Sequence, residues 1–161
     1  MHIHSFAEDN LKYVVLDLLS AGTETTATTI QWAVLCLVNH PEVQENIRIE
    51  LTENTSEDCP PQLSEKSHFP YCQAVMAESQ RLGNISPMSL PHTASDDVQV
   101  GGYRIPKGAV VIPNLDSVMH DETIFPDSCK FDPIRFLDEE GNFQGLENIL
   151  TCRRSLTNFI T

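Results

Sequence analysis

The first third of the chain carries one long helical repeat of apolar positions. From Asn10 to Asn39, apolar or small residues recur three and four residues apart, which places them on a single helix face. This face is formed by Val14, Val15, Leu18, Gly22, Thr25, Thr26, Thr29, Ala33 and Leu37. At the rise of an α-helix such a segment is about 45 Å long, enough to cross a domain. The pattern predicts one continuous helix around which the chain is organised.

The centre of this helix has an unusual composition. It combines Gly22 with five threonines, whereas alanine and leucine fill both ends. Glycine costs up to ~1 kcal/mol against alanine in a helix, and a threonine hydroxyl can donate to a carbonyl one turn earlier. Local rules tend to fail at functional positions, so we expect the centre to be buried against a bound group.

A structural interpretation of the same helix stays open. Asn10, Asp17, Glu24 and Gln31 recur every seven residues, so Glu24 can belong to the polar stripe of an amphipathic helix. From spacing alone this second interpretation is favoured.

Proline and glycine divide the following region into shorter helices. Pro41 ends the long helix and suits the first turn of a second one. Pro70 opens a third helix in the same way, and Gly83 is placed to stop it just past its end.

Beyond Ser86 the hydrophobic period changes from helical to strand-like. Segments 98–100 and 103–105 alternate around Gly101-Gly102, which predicts a tight hairpin. A strand over 109–112 and a short helix over 114–121 follow, and an irregular segment over 125–136 carries aromatic anchors. The predicted fold class is mainly α with a small β region.

Composition narrows the class of protein. The chain has 161 residues, a hydrophobic content of 40% and a formal charge of −13, so it can form a core but would repel nucleic acid and an anionic membrane face. No apolar run approaches the ~20 residues of a membrane span, and the amino terminus lacks the order of a signal peptide. The five cysteines have no Cys-x-x-Cys spacing, which favours reduced thiols over disulfides or zinc; they are Cys36, Cys59, Cys72, Cys129 and Cys152.

One pair of charged residues on the third helix can form an ion pair. Glu78 and Arg81 are three residues apart and share a helix face. Arg135, flanked by aromatic residues and proline, is the plausible third member. From spacing alone a surface pair is favoured, because a buried pair is costly unless further hydrogen bonds satisfy it.

Taken in order, three segments resemble the cytochrome P-450 haem-thiolate monooxygenases. Residues 21–26 (AGTETT) resemble the central-helix motif of that family, residues 78–81 its Glu-x-x-Arg helix, and residues 131–136 (FDPIRF) its aromatic, proline and arginine meander. The intervening segments 90–92 and 102–108 are most similar to the microsomal branch that metabolises xenobiotics and steroids. The resemblance covers about residues 6–143 and implies a fragment of the P-450 fold.

The resemblance implies a role for each matching residue. Ala21, Gly22 and Thr25 would lie against the haem, and Glu24 with Thr25 would relay protons while dioxygen is cleaved. His92 would hydrogen-bond a haem propionate. The remaining matches, Glu78, Arg81 and Arg135, would form a buried structural network without a catalytic role. The implied partners are a small lipophilic substrate, dioxygen and an NADPH-dependent reductase.

The chain departs from the family where the axial cysteine belongs. The motif Phe-x-x-Gly-x-Arg-x-Cys-x-Gly does not occur, and Cys152 lacks its glycines and arginine, so we expect an ordinary cysteine there. Ile134 stands where the family usually has glutamate. We expect one partial domain over 1–161, with a monooxygenase-like segment 6–143 and a divergent tail 144–161.

Three functional hypotheses follow from these observations. The leading one is a fragment of a monooxygenase that inserts one oxygen atom from dioxygen into a lipophilic substrate; it is inactive alone, and its parent enzyme lies on the cytosolic face of the endoplasmic reticulum. The second is a non-catalytic module that keeps part of the fold for binding or interaction. The third, hydrolysis by His92 with Asp96 or Asp97, has little support because no nucleophile elbow occurs.

Overall fold

The computed structural model describes residues 8–56 and 60–144, with helices first and short strands later. The helices are α1 (Glu8–Asn39), α2 (Pro41–Asn54), α3 (Pro70–Gly83) and α4 (Leu115–Met119), with short 3₁₀ helices at Leu63–His68 and Pro133–Phe136. The strands are β1 (His92–Thr93), β2 (Val98–Val100), β3 (Tyr103–Ile105) and β4 (Val110–Val111). This order confirms the predicted class, mainly α with a small β region.

Helix α1 is continuous, as its apolar pattern predicts, but its centre is not buried against any other described element. Residues 10–27 are all exposed, Gly22 and Thr25 included. Burial begins only near the carboxyl end of α1, where Cys36 is 8% exposed and packs with Val43 of α2 and Val75 of α3. The periodicity identified a helix face correctly, but α2 and α3 cover only the last third of that face.

Helix α3 lies between two hydrophobic clusters and is the most buried element of the described chain. One cluster joins Ala74 and Ala77 to Phe125 and Phe136, and the other joins Val75 to α1 and α2. Pro70 starts the helix, as predicted from its fixed φ angle and missing N–H. Small alanines on one face allow the aromatic segment after α4 to pack closely against the helix.

The carboxyl end of α3 differs from the prediction by one residue. Gly83 is the last helical residue and Asn84 takes the left-handed cap with φ 25°. Glycine is required at 83 for a different reason: a Cβ atom added there would lie 2.8 Å from Cγ of Trp32. The absence of a side chain at position 83 therefore allows α1 to pack closely against α3.

Two antiparallel pairs make up the β region. Strands β2 and β3 form the predicted hairpin, and Gly101 and Gly102 have φ angles of 57° and 84°. Strand β1 pairs with β4, so that His92 lies opposite Val111. None of the helices within 8–56 and 60–144 is long and apolar enough to cross a bilayer.

The amino terminus of α3 is capped by a side chain from α2. Phe69, the residue before the helix, offers no side-chain hydrogen bond. The carboxylate of Glu50 accepts from the backbone N–H of Tyr71 and from that of Cys72, both at 2.8 Å. These N–H groups have no partner inside the helix, so Glu50 satisfies them and fixes α2 against α3.

We predict that Glu50→Ala lowers the free energy of unfolding by about 1 kcal/mol, the usual cost of losing a helix cap. Urea unfolding followed by circular dichroism measures the change. Glu53→Ala is the matched control, because Glu53 lies exposed on the same helix. Equal effects of the two substitutions would show that the cap does not contribute to the free energy of unfolding.

Candidate functional site: a buried carboxylate network beside a cavity

Glu78 and Arg81 form a fully buried ion pair on α3. Both side chains are 0% exposed. Arg81 Nε donates to Glu78 Oε2 at 2.7 Å, and Arg81 Nη2 donates to Glu78 Oε1 at 3.0 Å. Two parallel bonds between a guanidinium and a carboxylate give both strength and fixed orientation.

Arg135 reaches the same carboxylate from the segment after α4. Its Nε donates to Glu78 Oε1 at 3.1 Å, and its side chain is 12% exposed. The backbone N–H of Asp132 also donates to this oxygen at 2.9 Å. Glu78 thus accepts from two guanidinium groups and one amide, which satisfies a buried charge from several directions.

The excess positive charge of the two arginines is offset by backbone carbonyls. Arg81 Nη1 donates to the carbonyl of Met119 at 2.6 Å, and Arg81 Nη2 to that of Lys130 at 3.3 Å. Arg135 Nη1 donates to the carbonyl of Pro126 at 3.1 Å. The Arg81 guanidinium also lies 5.1 Å from the centre of the Phe125 ring, a cation–π contact. The network therefore connects α3 to the irregular segment 119–135.

A second Glu-x-x-Arg pair in the chain has the same spacing but a different environment. Arg48 Nε donates to Glu45 Oε2 at 2.8 Å on α2, with the two side chains 65% and 53% exposed. Water screens such a pair, and its effect on stability is small. Burial, which spacing does not determine, distinguishes Glu78 and Arg81 from this surface pair.

A cavity of about 620 Å³ lies between α1, the end of α3 and α4. Helix α1 contributes residues one turn apart, which gives the cavity one helical wall. The opposite wall comes from α3, the segment that follows it, and α4. The lining residues are Ala21, Thr25, Thr29, Trp32, Ser79, Gln80, Gly83, Asn84, Ile85, Ser86, Leu90, Leu115 and Met119.

The structure brings only part of the predicted cofactor-binding set to this cavity. Ala21 and Thr25 line it, and Thr25 Oγ1 donates to the carbonyl of Ala21 at 2.6 Å. Gly22 and Glu24, on the same helix, are exposed and lie outside the lining. His92 starts β1, is half-buried, and also lies outside the lining. The roles assigned to these residues stay predictions.

Comparison with known proteins identifies the family. The profile described as Cytochrome P450 matches residues 1–150. The chain is 44% identical over 139 residues to Cytochrome P450 2D3 of Rattus norvegicus, and 42% identical over the same length to Cytochrome P450 2D27 of Mesocricetus auratus and Cytochrome P450 2D6 of Homo sapiens. Each match covers 86% of this chain and 28% of the relative's length. The chain belongs to the cytochrome P450 family.

The described residues fit only part of what the haem of this family requires. Small and hydroxyl side chains of α1 line the cavity, but none of the described cysteines, Cys36, Cys72 and Cys129, lines it. Burial raises the pKa of the Cys36 thiol, and burial together with the Glu50 carboxylate raises that of Cys72 to about 12. Cys129 is exposed and lines a different cavity. Cys152 lies outside the described residues, as does the predicted tail beyond Gln144.

Sequence reasoning missed three contributions to the site. The carbonyls of Met119 and Lys130 complete the Glu78 network, but backbone groups leave no signal in residue type. Trp32 lines the cavity and packs on Gly83. Gly83 is visible in the sequence, but its position at the end of a predicted helix favours its interpretation as a helix terminator. Groups of three or more potential metal ligands are absent from residues 8–56 and 60–144.

We predict that Glu78→Gln lowers the free energy of unfolding by about 3–5 kcal/mol, because it leaves the buried guanidinium of Arg81 and the partly buried one of Arg135 without their counter-charge. Chemical denaturation of the purified chain measures the loss. Glu45→Gln is the control with matched spacing, and we expect it to leave stability unchanged, because Glu45 is exposed. A Glu78→Gln variant as stable as the control would contradict the structural role of the network.

Proposed function

We propose that this chain is part of a haem-dependent monooxygenase and carries the helix that lies on the oxygen-binding side of the haem. The observation that carries the proposal is the position of Ala21 and Thr25 on the wall of the 620 Å³ cavity. Both residues belong to the segment that resembles the central-helix motif of the family, which supports the proposal. The haem, when bound, supplies the redox chemistry that transfers one oxygen atom from dioxygen to a substrate, with electrons from a reductase.

In this proposal the residues of α1 position reactants and carry protons. Ala21 and Gly22 are small, so a planar group can approach the helix backbone closely. The hydroxyl of Thr25 forms hydrogen bonds with the reactants. The carboxylate of Glu24, the adjacent residue, is exposed and exchanges protons with solvent. His92 would hold a propionate of the cofactor from β1.

The buried network has a structural role in the proposal. Glu78, Arg81 and Arg135 touch no face of the cavity described above, since none of them lines it. Arg81 instead binds the carbonyl of Met119, a residue that does line the cavity. Through this hydrogen bond the network holds Met119, and with it this part of the cavity wall, in position.

The substrate class follows from the cavity lining. Ile85, Leu90, Leu115 and Met119 present apolar side chains, which suits a lipophilic molecule. The resemblance to the microsomal branch supports an NADPH-dependent reductase as electron donor and the cytosolic face of the endoplasmic reticulum as location. The formal charge of −13 opposes a nucleic-acid ligand.

A second candidate function is a non-catalytic interaction module. The observation that favours it is the exposed apolar surface at the start of α1, where Tyr13, Leu18 and Leu19 are 67%, 69% and 60% exposed. Contiguous apolar surface on a protein commonly marks a contact with another protein. The two candidates differ in whether the cavity lining of α1 supports oxygen chemistry.

We predict that the 161-residue chain, mixed with haem and reduced by dithionite under carbon monoxide, gives no thiolate-type Soret band. The reason is that the family's axial-cysteine motif does not occur in it. Absorption difference spectroscopy measures the band, with intact Cytochrome P450 2D6 as the positive control. A strong thiolate-type band would overturn the expected inactivity of the isolated chain.

We predict that residues 8–144 support catalysis when they replace the matching segment of Cytochrome P450 2D6. The chimera should oxidise a lipophilic substrate with NADPH and reductase. Thr25→Ala should lower product formed per NADPH by about 10²-fold, the lower range for loss of a proton-transfer group. Thr25→Ser, which keeps the hydroxyl, is the control and should retain most of the coupling.

The chimera also separates the two candidate functions. A chimera that folds, binds haem and shows no oxidation would favour the interaction module. Equal coupling in Thr25→Ala and Thr25→Ser would contradict the proposed role of the hydroxyl.

A further inference from the structure

A second cavity of about 530 Å³, which is more open to solvent, shares a lining residue with the one that Thr25 lines. It is formed by the carboxyl end of α1, by Leu82 of α3 and by the irregular segment around Cys129. Its lining residues are Trp32, Leu35, Cys36, Asn39, His40, Leu82, His120, Cys129, Lys130 and Phe131. Trp32 is the one residue that both linings share.

The position of Trp32 along α1 explains why it borders both spaces. The α1 residues before it, at 21, 25 and 29, line the first cavity. The α1 residues after it, at 35, 36 and 39, line the second. The far walls are divided in the same way, because Met119 faces the first cavity and the next residue, His120, the second. The indole therefore stands where the two cavities meet.

Gly83 is what allows the indole to occupy this position. A Cβ atom at 83 would lie 2.8 Å from Cγ, 3.0 Å from Cβ and 3.2 Å from Cδ2 of Trp32. These atoms belong to the root of the side chain and cannot move without displacing the whole indole. Gly22, the other glycine of a described helix, has no atom within 4 Å of such a Cβ.

We propose that Trp32 is a partition between the two cavities, and that it limits the length of apolar ligand that the first cavity accepts. Gly83 positions it by leaving room for the indole against α3. That the ligand of the first cavity is the substrate rests on the proposed function. The partition itself rests only on the two linings and the Trp32–Gly83 contact.

A double-mutant cycle in the 161-residue chain tests the contact. Gly83→Ala should lower the urea midpoint in the wild-type background, because the new methyl group meets the indole. In the Trp32→Ala background the same substitution should lower it less, because only the Cβ atom at position 32 remains close, at 3.0 Å. Gly22→Ala is the matched control and should raise the midpoint, as alanine is the better helix former where nothing is in contact.

Ligand binding to the same chain tests the partition. The probe is diphenylhexatriene, an elongated apolar fluorophore that would gain room if loss of the indole joined the two cavities. Trp32→Ala should bind it about tenfold more tightly than the wild-type chain, a difference of about 1.4 kcal/mol. Leu35→Ala and Leu90→Ala each enlarge one cavity without joining the two, so they control for added volume and should not reproduce the gain.

Two outcomes would overturn the proposal. One is an equal cost of Gly83→Ala with and without Trp32. The other is probe binding to Trp32→Ala that is no tighter than binding to Leu35→Ala. Trp32→Phe, which keeps an aromatic ring in place, should give an intermediate affinity and serves if the alanine variant does not fold. Because neither test uses haem, failure here is distinct from failure of the oxidation test.

Discussion

The carboxylate of Glu78 is the constraint on which the described structure depends. A fully buried charge is tolerated only when several donors satisfy it in good geometry. Here Arg81, Arg135 and the amide of Asp132 do so at distances between 2.7 and 3.1 Å. Two of these donors come from a segment with almost no regular secondary structure. The charge on α3 therefore gives that segment a fixed position that its own backbone hydrogen bonds would not provide.

The same helix connects this network to the cavity. Arg81 faces the network, whereas Ser79 and Gly83 face the cavity. Met119 belongs to both, since its carbonyl accepts from Arg81 and the residue lines the cavity. Met119 thus connects the ion pair to the cavity wall. A structural network and a binding site can share an element in this way without sharing functional side chains.

Local sequence signals predicted the elements well, and long-range packing accounts for what they missed. Pro70 identified the start of α3 and the Gly101-Gly102 pair identified the hairpin, because both act through their own backbone angles. Burial has no such local cause. The pairs Glu78–Arg81 and Glu45–Arg48 have identical spacing, yet only the first lies under packed aromatic residues. The exposed centre of α1 and the role of Gly83 likewise depend on which helix approaches from a distant part of the chain.

The hydrogen bond that Thr25 already makes limits what its hydroxyl can do in the proposed reaction. Its proton is directed to the carbonyl of Ala21 at 2.6 Å, while the oxygen lone pairs remain available. In this rotamer the hydroxyl accepts hydrogen bonds from a ligand or from water, but it does not donate to them. Donation requires rotation about the Cβ–Oγ1 bond, which turns the hydroxyl proton away from the carbonyl. Glu24, the adjacent residue, is exposed and lies outside the cavity lining, so in the proposed relay its proton would reach the Thr25 hydroxyl through solvent.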